Sequence, residues 1–102
     1  MITHCVFIRY RAEIDAAGRE RIYEAVRALK PRIPGMQDVI VSKNVSPEGL
    51  DKGFSEGFIV TFADAAARDA YLVDEEHAKV GKMVVGAAEG GLDGLLVYDL
   101  EH

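Results

Sequence analysis

From Phe54 to Phe62 the chain alternates with a period of two. Phe54, Phe58, Val60 and Phe62 fall on one side with Glu56 among them, and Ser55, Gly57, Ile59 and Thr61 fall on the other, as successive strand side chains do. A lone carboxylate in a row of aromatic and branched residues is the first hint of a site. Ile2 to Arg11 reads as a second strand, with Ile2, His4, Val6, Ile8 and Tyr10 on one face and Thr3, Cys5, Phe7, Arg9 and Arg11 on the other. Both faces carry bulky apolar groups, so both are expected to be covered. Met36 to Val45 is a third strand, with Val39, Val41 and Val45 sharing a side, and Leu92 to Leu100 is the fourth, around Leu95-Leu96-Val97.

Between these stretches the period changes to that of a helix. Asp15 is placed to cap a helix in which Ile22, Val26, Leu29 and Ile33 recur on one face, and Pro31, with no N–H to donate, should end its regular part near Lys30. Asp64 caps a short helix from Ala65 to about Leu72, and Asp74 restarts it in a new direction to about Val85, with His77, Val80, Gly81 and Val84 inward. The turn-rich segment Ser46 to Gly53 joins the second and third strands. The order is βαββαβ in one domain spanning residues 1–102. It predicts an α+β fold, one antiparallel four-stranded sheet with its helices on one face. The bare face still carries Cys5, Phe7 and Ile59, and the simplest cover is the same face of a second copy about a two-fold axis.

Composition adds exclusions. A formal net charge of −5 argues against a nucleic-acid partner, which needs a basic face. No apolar run approaches the roughly 20 residues of a membrane span, and the amino terminus lacks the basic start and long apolar run of a secretion signal. The single Cys5 allows no internal disulfide, and a reduced, cytoplasmic setting is expected.

Four segments together resemble the stress-responsive A/B barrel domain family. They are His4-Cys-Val-Phe-Ile-Arg-Tyr-Arg11; Ile33-Pro-Gly35 with Asn44-Val-Ser-Pro-Glu48; Gly53-Phe-Ser-Glu-Gly-Phe-Ile-Val-Thr-Phe62; and Tyr71-Leu72 through His77 to Val97-Tyr-Asp99. The resemblance implies a ferredoxin-like monomer and a homodimer whose two sheets form a barrel. Some plant members are cofactor-free polyketide cyclases that use a tyrosine and a histidine between sheet and helices. Carried over residue by residue, that pair falls on Tyr71 and His77, and the strand-one histidine falls on His4. Two departures stand out. Asp74-Glu75-Glu76-His77 replaces a His-Pro-x-His pattern, and Glu56 stands where many members have a histidine.

On this reading His77 is the base and Tyr71 the acid, with His4, Glu56, Val6 and Val80 around a pocket for a small hydrophobic carbonyl compound. The positive helix end at His77 disfavours an imidazolium, while Asp74, Glu75 and Glu76 favour one. His4 and Glu56, on adjacent central strands, are expected to pair. Each residue also has a plainer role: a helix-start histidine, a core tyrosine, a satisfied core histidine. No metal site is assigned, because the three histidines show no zinc spacing, although His4, Glu56 and His77 are candidates to converge. No phosphate-binding glycine loop is present, and no cofactor is expected. The alternative is a non-catalytic stress protein that binds ligands or partners. A cavity of roughly 300 Å³ or more beside His77 and Tyr71 would favour catalysis, and closed packing would favour the alternative.

Overall fold

The alternating amino-terminal stretch forms β1 (Ile2–Ile8) in the computed structural model, which describes residues 1–102. Beyond Ile8 the chain stays extended but changes partners. The Arg9 N–H bonds the Gly94 carbonyl at 2.8 Å, and the Arg11 N–H bonds the Ala87 carbonyl at 2.9 Å. The strand expected to reach Arg11 therefore ends three residues sooner. Helix α1 (Ala16–Arg27) begins where Asp15 accepts from the Gly18 N–H at 2.8 Å, and Pro31 lies in a short 3₁₀ turn, Lys30–Arg32. Strand β2 (Met36–Lys43) stops short of Val45, which is 91% exposed.

Strand β3 (Glu56–Phe62) begins after Phe54, so Phe54 does not join the inner row. Its ring lies under the Arg9 guanidinium, 5.0 Å from the centroid, and faces the same groove as Phe7 and Ile59. Helices α2 (Ala65–Val73) and α3 (Glu75–Ala87) repeat the aspartate device. Asp64 accepts from Ala67 at 2.9 Å, and Asp74 accepts from Glu76 and His77 at 3.0 and 3.1 Å. Each cap satisfies backbone donors that a helix start leaves unpaired. Asp74 itself is extended, with φ −69° and ψ 137°, which bends the chain between the two helices. Gly91–Gly94 forms a 3₁₀ turn, so β4 (Leu95–Glu101) starts three residues later than the apolar pattern suggests.

All pairings are antiparallel, in the order β2-β3-β1-β4. The element order and sheet are those of a ferredoxin-like α+β fold. No helix is long and apolar enough to cross a membrane. Ile8, Val60 and Phe62 from the sheet pack with Val26 of α1 and Tyr71 of α2 in the core, each fully buried side chain contributing roughly 1.5–3 kcal/mol. The other face has no helix over it and leaves Ile40, Leu96, Tyr98 and Leu100 exposed.

Close approach of β1 and β3 explains Gly57. Paired with Phe7, it leaves no room for a side chain: a Cβ there would be driven into the Val6 carbonyl oxygen and would lie 2.9 Å from the Phe7 Cα. Both obstacles are backbone, so relief requires moving the central strands. Gly57→Ala is predicted to cost on the order of 3 kcal/mol, read as a lower midpoint in denaturant-induced unfolding. An unchanged midpoint would mean that the strands part freely.

Candidate active site

The inner face of β1 carries Ile2, His4, Val6 and Ile8, and His4 is the one polar group in that row. In the antiparallel register it lies opposite Val60 on β3 and Asp99 on β4. The Asp99 neighbour supplies its partner: His4 Nδ1 and Asp99 Oδ1 are 2.6 Å apart. A carboxylate accepts from an imidazole N–H, so Nδ1 carries the proton and Nε2 the lone pair. The second oxygen of Asp99 accepts from Arg68 Nη1 of α2, also at 2.6 Å. Burial works against ionisation of Asp99, but the hydrogen bonds from His4 and Arg68 outweigh it and hold the carboxyl below its ordinary range.

Tyr71 lies three residues after Arg68 on α2 and therefore on the same side of the helix. It is 1% exposed, and burial pushes its phenol above the ordinary tyrosine value, so it remains a proton donor at neutral pH. The bend at Asp74 folds His77 back over it, with ring centroids 4.1 Å apart and planes at 45°. His4 meets the same tyrosine edge-on at 5.7 Å. Burial lowers the His77 pKa and the neighbouring His4 imidazole adds to this by disfavouring a second cation beside it, while the Leu72 carbonyl and Asp74 pull the other way. Its Nδ1 is buried with no hydrogen-bond partner. Two imidazoles and a phenol thus form one polar cluster.

These groups line a cavity of about 190 Å³ between the sheet and the helices. Val6, Phe58, Val80 and Val84 are among its apolar walls, and no lysine, arginine or carboxylate lines it. His4, Val6, Tyr71, His77 and Val80 therefore come together. Such a cluster has the parts for moving a proton: lone-pair nitrogens, an O–H donor, and a carboxylate behind one imidazole.

Glu56 does not join them, and the expected His4–Glu56 pair is not formed. Glu56 lies opposite Ile8, four residues further along β1, about 13 Å from the His4 level at the strand rise. Its carboxylate accepts from Tyr23 Oη and Arg19 Nη1 of α1, each at 2.7 Å. His4, Glu56 and His77 accordingly do not converge on one point. Two larger hollows exist elsewhere. A groove of about 580 Å³ lies on the opposite sheet face and another of about 450 Å³ beside Arg19 and Glu56, and neither gathers the histidines and Tyr71.

Asp99 and Arg68 are the functional candidates that reading the sequence missed as partners. A signal was there: Leu95, Val97 and Asp99 share one side of the last strand, so Asp99 breaks an apolar row as Glu56 and His4 break theirs. The i,i+3 spacing of Arg68 and Tyr71 was the second.

Known proteins place this architecture. The sequence profile described as "Stress responsive A/B Barrel Domain" matches residues 2–101. Olivetolic acid cyclase of Cannabis sativa is 25% identical over 80 residues, covering 78% of this chain and 79% of that protein. A dimeric ferredoxin-like protein of unknown function from a Jannaschia species superposes with a TM-score of 0.86 at 35% identity, over 99% of this chain and 98% of that one. Hydroxynitrile lyase from Passiflora edulis shares the fold, with a TM-score of 0.84 at 20% identity over 97% and 90% of the two chains. With its profile matched almost end to end and its ferredoxin-like sheet in place, the chain belongs to the stress-responsive A/B barrel domain family.

Proposed function

We propose that this protein performs acid–base chemistry on a compact, uncharged, hydrophobic carbonyl compound. The observation that carries the reading is the His4–Asp99 pair beside Tyr71 in one apolar cavity. Nε2 of His4 takes a proton from the carbon next to the carbonyl. The C–H electron pair moves into the carbonyl to form an enolate, whose oxygen accepts a hydrogen bond from Tyr71. The imidazolium is stabilised by the ionised Asp99, and it returns the proton to carbon or oxygen in the product. His4 is assigned as the base because Asp99 stands behind its ring to stabilise the imidazolium, whereas burial disfavours the charged form of His77. His77 remains neutral and serves as a hydrogen-bonding wall beside Tyr71.

The cavity sets the size of the ligand. A dry cavity of about 150 Å³ holds benzene, so about 190 Å³ accommodates one ring with a short substituent. Its lack of a lining cation disfavours carboxylates and phosphates. The names of a cyclase and a lyase among the relatives support small-molecule catalysis. A volume below the roughly 300 Å³ of common ligand pockets is the feature that favours the second reading, a non-catalytic binding protein.

The same reading includes a homodimer through the helix-free sheet face. Ile40, Leu96, Tyr98 and Leu100 are 51%, 47%, 44% and 55% exposed there, and Phe7 packs beside Tyr98 with centroids 6.0 Å apart. Cys5 lies on this face but is already buried within the single chain, and burial raises its thiol pKa. A dimeric relative at 35% identity supports the assembly.

Three expected outcomes follow from these assignments. Phenylacetone in heavy water should exchange its α-protons faster with the protein than in buffer alone, followed by proton NMR. His4→Gln and Tyr71→Phe should each lower the protein-dependent rate by about 100-fold. Exchange at the buffer rate with wild-type protein would leave the non-catalytic reading.

The pH dependence of stability tests the buried His77. Its folded pKa lies below the ordinary 6.5, so the unfolded chain binds the proton more readily. Stability is therefore full above about 6.5 and declines as pH falls through that value toward the lowered folded pKa. His77→Gln should lose less stability than wild type between pH 7.5 and 5.5, measured as unfolding midpoints. Equal losses would show that His77 is free to charge.

Phe7→Glu should place a charge on the sheet face and convert a dimeric sedimentation mass to a monomeric one. A monomeric wild type at micromolar concentration would refute the interface.

A further inference from the structure

We infer that Arg68 is a positioning residue for His4, acting through Asp99, so that the imidazole keeps its proton on Nδ1 and presents the Nε2 lone pair to the cavity. The inference rests on the acid–base reading of that cavity and names a residue to which nothing in that chemistry yet gives a role.

Asp99 sits on β4, an edge strand of the sheet, and a quarter of its side chain remains exposed. A carboxylate in such a place has rotamers to choose from and water to bind. Arg68 removes both freedoms. Its Nη1 donates to Asp99 Oδ2 at 2.6 Å, while Oδ1 accepts from His4 Nδ1 at 2.6 Å, so both carboxylate oxygens are engaged by opposite neighbours. The guanidinium is itself steadied by Asp69, which accepts from Nε at 2.9 Å. Arg68 and Tyr71 share one side of α2. A single helix thus anchors the carboxylate behind His4 and the phenol in front of it.

The charge arrangement has a consequence for proton transfer. When His4 takes a proton at Nε2, Asp99 becomes the nearest competing acceptor for the proton on Nδ1. A guanidinium on its other oxygen stabilises the ionised form and opposes that transfer. The remaining polar groups that interact with these two residues are Tyr71 from α2, His77 from α3 and, from the opposite face of the sheet, Cys5 of β1. None of them is a second fixed positive charge that could replace Arg68 at Asp99.

The test uses the ligand-free protein and needs no substrate. Nitrogen-15 shifts report the tautomer of the His4 ring, and the carboxyl carbon-13 shift reports the titration of Asp99. Wild type should show His4 as the Nδ1–H tautomer. Arg68→Gln, and Arg68→Met as a second variant that keeps an unbranched apolar stem without the charge, should move the Asp99 midpoint up in pH and bring in the Nε2–H tautomer. Arg68→Lys should return the midpoint toward wild type, because it restores the charge. A helix anchor without this role would change thermal stability and leave the tautomer alone. An unchanged midpoint and tautomer in a folded glutamine or methionine variant would overturn the inference and leave His4 and Asp99 as the acid–base pair. If the relay responds as expected but phenylacetone exchange stays at the buffer rate, the catalytic reading fails instead.

Discussion

The antiparallel register along β1 is the constraint on which the site depends. β1 lies between β3 and β4, so each of its inner residues has a neighbour on both sides. For His4 these are Val60 and Asp99, and for Ile8 they are Glu56 and Leu95. A shift of two residues would preserve every face of the sheet and still remove the carboxylate from His4. Gly57 protects that register from the β3 side, since its missing side chain lets the two backbones approach.

Charge is separated from the cavity with some economy. The interior presents neutral groups, a phenol held protonated and a histidine held toward its neutral form, both mainly by burial. The ionic pair of Asp99 and Arg68 stands at the edge, reaching the interior only through the His4 ring. An unpaired carboxylate inside would be expensive to desolvate. With an imidazole as intermediary, the cavity gains the electrostatic support of the charge without enclosing it.

Glu56 shows the other use of a buried carboxylate. Tyr23 and Arg19 satisfy its two oxygens, and the Arg19 guanidinium also stacks on the Tyr10 ring at 4.5 Å. This network ties α1 to the start of β3 and has no cavity-facing histidine. Removing one partner from such a buried pair is more costly than the pair's net stabilising contribution. Glu56 is therefore tied into the packing of α1, although its place in an apolar row looks as unusual as that of His4.

Much of the architecture was legible in the residues themselves. Period-two alternation assigned the two faces of the strands, aspartates 15, 64 and 74 marked the helix starts, and apolar residues on the helix-free face pointed to a second copy. These are local signals, carried within a few residues of one another. Tyr71 and His77 also share a local bend, which brings their rings within 4.1 Å. The partners of His4 and Glu56 were decided elsewhere. Alternation says which face a side chain occupies but not which residue of the next strand stands opposite it, since register follows from packing along the whole sheet. Arg68 and Asp99 are 31 residues apart in the chain, and Arg19 and Glu56 are 37 apart. Only the folded arrangement of helix on sheet could assign one carboxylate to the histidine and the other to α1.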